Sequence, residues 1–223
     1  MISLSLKDCI RRRVAADPEL SGIHSLMLFG SYVRGDFVPG LSDLDFLVVV
    51  RNEPPYMDRL KEIIEGCAEG IKYKLIDLPW ERLEDLSDPM RLGYGFKFLT
   101  IYQRDFLEHH EVVYGEEVAH LIQLYPMDEL VRWRIERLAG SGKLIEENPD
   151  LAPVVAGEVC RLIAVINGAK DISKQTILET LEKVGDEQAL EIYKAYVKNR
   201  QLNVDREFYL AFIDSRMKHK KLD

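Results

Sequence analysis

Three cysteines, Cys9, Cys67 and Cys160, are too few and too scattered along 223 residues for a disulfide framework or for zinc-ligand spacing. They are expected as small apolar side chains in a reducing compartment. Also missing is any run near the ~20 consecutive apolar residues that a membrane-crossing helix needs. The opening MISLSLKDCIRRRV places its charges after a short apolar patch, the wrong order for a secretory signal, so the expected location is cytoplasmic. Positive charge is in short supply, with 30 Lys and Arg against 38 Asp and Glu and a net charge of -8 at pH 7. That balance argues against nucleic-acid binding by phosphate neutralisation and suits a small cationic partner better. What is present is ordinary globular material, 47% hydrophobic and 30% charged, without internal repeats or low-complexity stretches.

The chain reads as two halves, with an expected boundary at 1–105 and 106–223. In the first, short β-rich runs at Ile23 to Phe29, Leu44 to Val50 and Ile71 to Leu78 alternate with helical stretches at Leu4 to Ala16 and Tyr56 to Glu69. The Leu44 to Val50 run is continuously apolar after Asp45, as in a strand buried on both faces. The second half reads as helix after helix: Met127 to Glu147, Pro153 to Ile166, Ser173 to Val184, Asp186 to Lys198 and Asp205 to Lys218. The predicted fold class is α+β, a mixed β-sheet with helices followed by a helical bundle.

The chemistry concentrates in LMLFGSYVRGDFVPGLSDLDFLVVV, Leu26 to Val50. It reads as strand, Gly-Ser turn, helical turn, loop and a second strand bearing Asp43 and Asp45. Side chains two apart on a strand share a face, so both carboxylates point at one spot. Paired hard oxygen donors suit Mg2+, with phosphate oxygens completing its octahedron. Gly30, lacking a Cβ, lets a phosphate approach the backbone where strand turns into helix, and N–H groups at that helix start favour an anion. The Ser31 hydroxyl adds a hydrogen bond, and Arg34 one turn on adds positive charge. Ser42 either supports the loop or touches a phosphate.

Gly30-Ser31 followed by Asp43-Leu44-Asp45, with an apolar strand before and after, resembles the signature of the DNA polymerase beta-like nucleotidyltransferases. The resemblance implies an N-terminal nucleotidyltransferase sheet domain, ATP as nucleotide donor and Mg2+ held by Asp43 and Asp45. It also implies a third acid on the next strand, as metal ligand or general base. In Ile71 to Leu78 that acid is Asp77; Lys72 or Lys74 takes the place if the family position lies nearer the middle, and Glu69 is the fallback. A lysine there would leave a nucleotide-binding regulatory or antitoxin-like module rather than an enzyme.

In the second half, Val113-Tyr114-Gly115-Glu116-Glu117, then Cys160-Arg161-Leu162, Asn167-Gly168 and Ile172-Ser173-Lys174 resemble segments of the streptomycin/spectinomycin adenylyltransferases. That likeness implies Arg161 on the nucleotide and Lys174 on its triphosphate, with AMP passed to a hydroxyl of a small cationic acceptor such as an aminoglycoside. Transfer of AMP to a protein is the alternative. Asp128, Glu129, Asp150 and Glu158 are carboxylates available to attract such a cation.

Three other features read as incidental. Gly140-Ser141-Gly142-Lys143 lacks the earlier glycine of a P-loop and follows no strand. His109-His110 has no ligand partners at metal spacing and is expected in solvent. Phe96, Phe98, Tyr102 and Phe106 read as core rather than as a base-stacking platform.

Overall fold

The computed structural model describes residues 5–53, 56–88, 100–198 and 202–217. The chain divides into two compact units, one of residues 1–98 and 103–124, the other of residues 99–102 and 125–223.

The first unit is a mixed five-stranded sheet. β1 (Ile23–Phe29) and β2 (Leu44–Val50) are antiparallel neighbours at its centre, and every residue of both is buried. β5 (His110–Gly115) pairs antiparallel with the free side of β1. On the outer side of β2, β3 (Ile76–Asp77) and β4 (Trp80–Arg82) pair with it in parallel. Leu26, Leu28, Leu44, Phe46, Val48 and Val50 turn toward α1 (Leu6–Ala16) and α3 (Met57–Cys67), meeting Ile10, Val14, Leu60, Ile63 and Ile64. Each such fully buried aliphatic or aromatic side chain contributes about 1.5–3 kcal/mol relative to exposure. The opposite parity on the central strands, Phe29 and Asp45 among it, therefore belongs to the other face.

Several expectations are corrected here. The third run does not form one strand from Ile71 that stops at Pro79. Pairing with β2 begins at Ile76, lapses at Leu78 and Pro79, and resumes at Trp80 in the same register. Proline cannot donate to a ladder, but an edge strand tolerates it, and the Pro79 carbonyl still accepts from the Val48 N–H at 2.9 Å. The segment after residue 105 is not all helical either, since His110–Gly115 completes the sheet. Gly115 takes a φ of 80°, and a Cβ there would collide with the His24 carbonyl.

Cys9 and Cys67 are also not free thiols; they form a disulfide. Packing of α1 beside α3 brings their Cα atoms to 5.7 Å, inside the range a disulfide spans, although 58 positions separate them in sequence. Cys160 alone is a buried free thiol, as expected.

The second unit is helical. Its core gathers around α7 (Ala152–Ile166), packed by α5 (Met127–Ala139), α8 (Lys174–Val184), α9 (Glu187–Val197) and α10 (Arg206–Met217). Ser173 and Asp186 cap α8 and α9, accepting from the Thr176 and Ala189 N–H groups. Gly157 lets α7 approach α9, because a Cβ there would lie 2.9 Å from the Tyr196 ring. The predicted helix Met127 to Glu147 is two helices, α5 and α6 (Gly142–Glu147). Gly140 closes the first, and Ser141 turns its hydroxyl back to the Leu138 carbonyl at 2.6 Å. The P-loop-like string is this break, with Lys143 exposed beside Glu147. Among the described residues, no helix is long and apolar enough to cross a membrane.

Candidate active site

β1 ends at Phe29, and the chain reverses through Gly30 into the single helical turn α2 (Ser31–Arg34). Gly30 adopts φ 75° and ψ -152°, a region reserved in practice for glycine. A second constraint is steric: a Cβ on Gly30 would collide with Asp45 Oδ2 and lie 3.2 Å from its Cγ. The Asp45 carboxylate thus lies against the Gly-Ser turn. The Arg34, Gly35 and Asp36 N–H groups bond the Gly30 and Ser31 carbonyls at 3.0 to 3.1 Å, which closes α2. At four residues α2 carries little macrodipole, so anion attraction here would rest on individual N–H groups and the Ser31 hydroxyl.

Asp45 is the third site feature by register. Its cross-strand neighbour on β1 is Phe29, and its neighbour on β3 is Asp77. Partnered residues project to the same face, so Asp45 and Asp77 share one face beside the Gly-Ser turn. Asp43 lies one residue ahead of β2. The partner of Asp45 is neither Lys72 nor Lys74, whose side chains are exposed before β3; Glu69 is exposed as well.

The loop into Asp43 is tied down by its own polar groups. Ser42 Oγ accepts from the Val38 N–H at 2.9 Å. The Ser42 carbonyl accepts from the Lys74 N–H at 3.0 Å, and the Gly40 N–H donates to the Lys72 carbonyl at 2.6 Å. Of the two roles expected for Ser42, loop support is the one these bonds serve.

Arg34 is committed to carboxylates. Nε and Nη2 contact Asp36 Oδ1 at 3.0 and 2.9 Å, and Nη1 reaches Asp105 Oδ2 at 2.6 Å. Asp105 belongs to α4 (Gln103–Glu108). Burial pushes the Asp105 carboxyl up from its ordinary range while Arg34 pulls it back. Sequence reading missed Asp36 and Asp105; Asp36 was visible two residues after Arg34, but nothing local marks Asp105. His110, expected in solvent, is mostly buried, contacting the Phe106 carbonyl at 2.9 Å and Glu117 at 2.8 Å. Phe106 packs edge-on against Phe29, and Phe96 and Phe98 lie outside the described residues.

In the second unit, Arg161 donates to Glu158 and lies within 3.4 Å of the Tyr193 and Tyr196 hydroxyls, its guanidinium 5.2 Å from the Tyr196 ring centre. Arg134 reaches the other Glu158 oxygen at 2.6 Å, and the Tyr102 hydroxyl donates to it too. Burial pushes the Glu158 carboxyl up, but Arg161 and Arg134 outweigh it and hold it at about 2. Glu158 is therefore spoken for by two guanidinium groups. Lys174 opens α8 immediately after its cap.

Residues 10–97 match the family model described as nucleotidyltransferase domain, a span that contains the Gly-Ser turn, Asp43, Asp45 and Asp77. Residues 10–97 are thus similar to a nucleotidyltransferase domain. Its fold resembles spectinomycin adenyltransferase AAD(9) from Enterococcus faecialis, whose crystal structure holds ATP and spectinomycin. The TM-score is 0.60 at 20% identity, over 93% of this chain and 99% of that one. No curated protein matches the sequence. The mixed sheet and following helices are thus the nucleotidyltransferase fold predicted from the motif.

Among the described residues, no group of three or more His, Cys, Asp or Glu side chains forms a metal cage by itself. The donor set beside the Gly-Ser turn still fits Mg2+, which is commonly held by one or two carboxylates with substrate phosphates and water.

Proposed function

We propose that the protein transfers AMP from ATP to a hydroxyl of a small cationic acceptor, with an aminoglycoside or related aminocyclitol as the leading class. The observation that carries the reading is the shared face of Asp45 and Asp77 against the Gly30 turn. The likeness in fold to a spectinomycin adenyltransferase, along nearly the whole of both chains, supports the acceptor class.

Asp43 and Asp45 would hold Mg2+, which would neutralise triphosphate oxygens as charge moves onto pyrophosphate. Gly30 and Ser31 position the triphosphate through backbone N–H groups and the Ser31 hydroxyl. Asp77 takes the proton of the acceptor hydroxyl as its oxygen bonds to the α-phosphorus. The bond from that phosphorus to the β-phosphate bridging oxygen breaks, and pyrophosphate leaves. Positioning supplies most of the rate, and a base within reach of the hydroxyl adds about 10²–10⁴-fold. Arg34 and Ser42 serve the nucleotide by fixing the turn and the loop. Arg161 and Lys174 are further nucleotide contacts, carried over from the adenylyltransferase resemblance.

Mass spectrometry after incubation with Mg-ATP and a panel of aminoglycosides and aminocyclitols tests this. An acceptor gaining one AMP is expected. Tight ATP binding with no adenylylated product from any small acceptor would leave protein acceptors or a binding module as the reading.

A further inference from the structure

Two consecutive residues of α4 grip the two flanks of the Gly-Ser turn. Phe106 is 1% exposed and packs edge-on against Phe29, the residue before Gly30, with ring centres 5.1 Å apart and planes at 77°. Asp105, its side chain 7% exposed, takes Nη1 of Arg34 at 2.6 Å, and Arg34 is the last residue of α2. The other edge of the Arg34 guanidinium is fixed by Asp36 just past the turn. One cation is thus shared between a local carboxylate and one from a separate helix, and Arg34 keeps only 11% of its side-chain surface exposed. Charge-assisted bonds of this kind in buried surroundings are strong and directional. His109, one helical turn after Asp105, places Nδ1 3.2 Å from the remaining Asp105 oxygen without hydrogen-bond alignment, so it adds a polar neighbour rather than a second bond.

We propose that Asp105 is a positioning residue for nucleotide binding: through Arg34 it sets the orientation of α2, and with it the Ser31 hydroxyl and N–H groups that receive the triphosphate. This rests on the adenylyltransferase reading for its consequence, but the positioning itself is measurable without turnover. A one-turn helix has too few internal bonds to hold its own pitch. Here the three N–H groups of Arg34, Gly35 and Asp36 that bond Gly30 and Ser31 carbonyls close it, Tyr32 and Val33 pack against the sheet core, and Asp105 is the charged tether at its last residue.

The experiment compares the wild-type protein with Asp105→Asn and Arg34→Gln in two ways. Amide hydrogen exchange at residues 34–36 reads the turn directly. ATP and acceptor KM, measured separately, read its effect on the site. The expected result is at least tenfold faster exchange at residues 34–36 in Asp105→Asn, with β2 amides unchanged. ATP KM should rise about tenfold and acceptor KM stay within twofold. Arg34→Gln should match, and the double variant should be no worse than either single one. Unchanged exchange at residues 34–36 would overturn the proposal. So would equal losses for both substrates, additive effects in the double variant, or a fall in ATP KM, which would mean that Asp105 withholds Arg34 from the phosphates. Should the wild type bind ATP but transfer nothing, the functional reading fails while the exchange result still decides the role of Asp105. Asp105→Glu, which keeps the charge, should recover part of the exchange protection if the variant Asp105→Asn folds poorly.

Discussion

Asp45 and Asp77 are register partners on adjacent parallel strands, which puts two carboxylates thirty-two positions apart in sequence onto one face of the sheet. The register is not arbitrary. Leu44 pairs with Ile76 one step earlier, and both lie in the core against α1 and α3. A slip by one residue would drive Asp77 into that core and turn Ile76 out, so burial of Ile76 is what aims Asp77 at the site.

The first prediction follows from that placement. Asp77→Asn keeps the volume and the register but removes the base. Pyrophosphate release should fall about 10²–10⁴-fold while Mg-ATP binding, measured calorimetrically, changes little. Loss of binding with turnover per bound nucleotide preserved would remove Asp77 from the chemistry.

Gly30→Ala meets two penalties together, a left-handed φ and the Asp45 carboxylate. The expected cost is about 1–3 kcal/mol of stability, with loss of ATP affinity as Asp45 is pushed aside. Thermal unfolding and ATP titration check both. A variant as stable and as tight-binding as the wild type would mean that the turn does not hold Asp45 as described.

The Cys9–Cys67 bridge closes a long loop on the side of the sheet away from Asp45. Loop-closure entropy puts its stabilisation at about 4 kcal/mol, with less if the unfolded chain keeps structure. Reductant, or Cys9→Ser with Cys67→Ser, should lower the guanidinium midpoint and leave ATP KM within twofold. An unchanged midpoint on reduction would show that the bridge carries no stability.

Two buried acids give opposite pH dependences. Glu158, held at about 2 against an ordinary 4.5, contributes stability above pH 4.5 that is lost as pH falls from there toward 2. Glu81, which burial alone pushes up to about 8, contributes stability below pH 4.5 that is lost as pH climbs through 8. Glu158→Gln should therefore cost stability at pH 7, about 3 kcal/mol or more, because two guanidinium groups lose their shared anion. Glu81→Gln should raise the melting temperature at pH 8.5 and change it little at pH 4. Denaturant curves for each variant across pH 3–9 test both signs.

Much of this was legible in the sequence, and the reasons are local. β1 and β2 announce themselves because each carries an apolar run, Leu26 to Phe29 and Phe46 to Val50, and the Gly-Ser and Asp-x-Asp elements sit at the adjoining ends. The edge was harder. Pro79 reads as a stop, yet an edge strand resumes past it, and β5 hides among helical signals because its six residues gain their meaning only by pairing with β1. Long-range pairs left no local mark: Cys9 with Cys67, Arg34 with Asp105, and Glu158 with Arg134 meet only once helices pack. A charged residue in sequence looks available to a ligand; burial decides whether another residue has already claimed it.

The most direct test of nucleotidyl transfer at this site is steady-state pyrophosphate release from Mg-ATP in the presence of an accepted aminoglycoside, for the wild type and for Asp43→Asn with Asp45→Asn. Acceptor-dependent release is expected from the wild type and a rate at background from the double variant, with the sheet still folded by circular dichroism. Release that persists undiminished in the double variant would contradict transfer at this site.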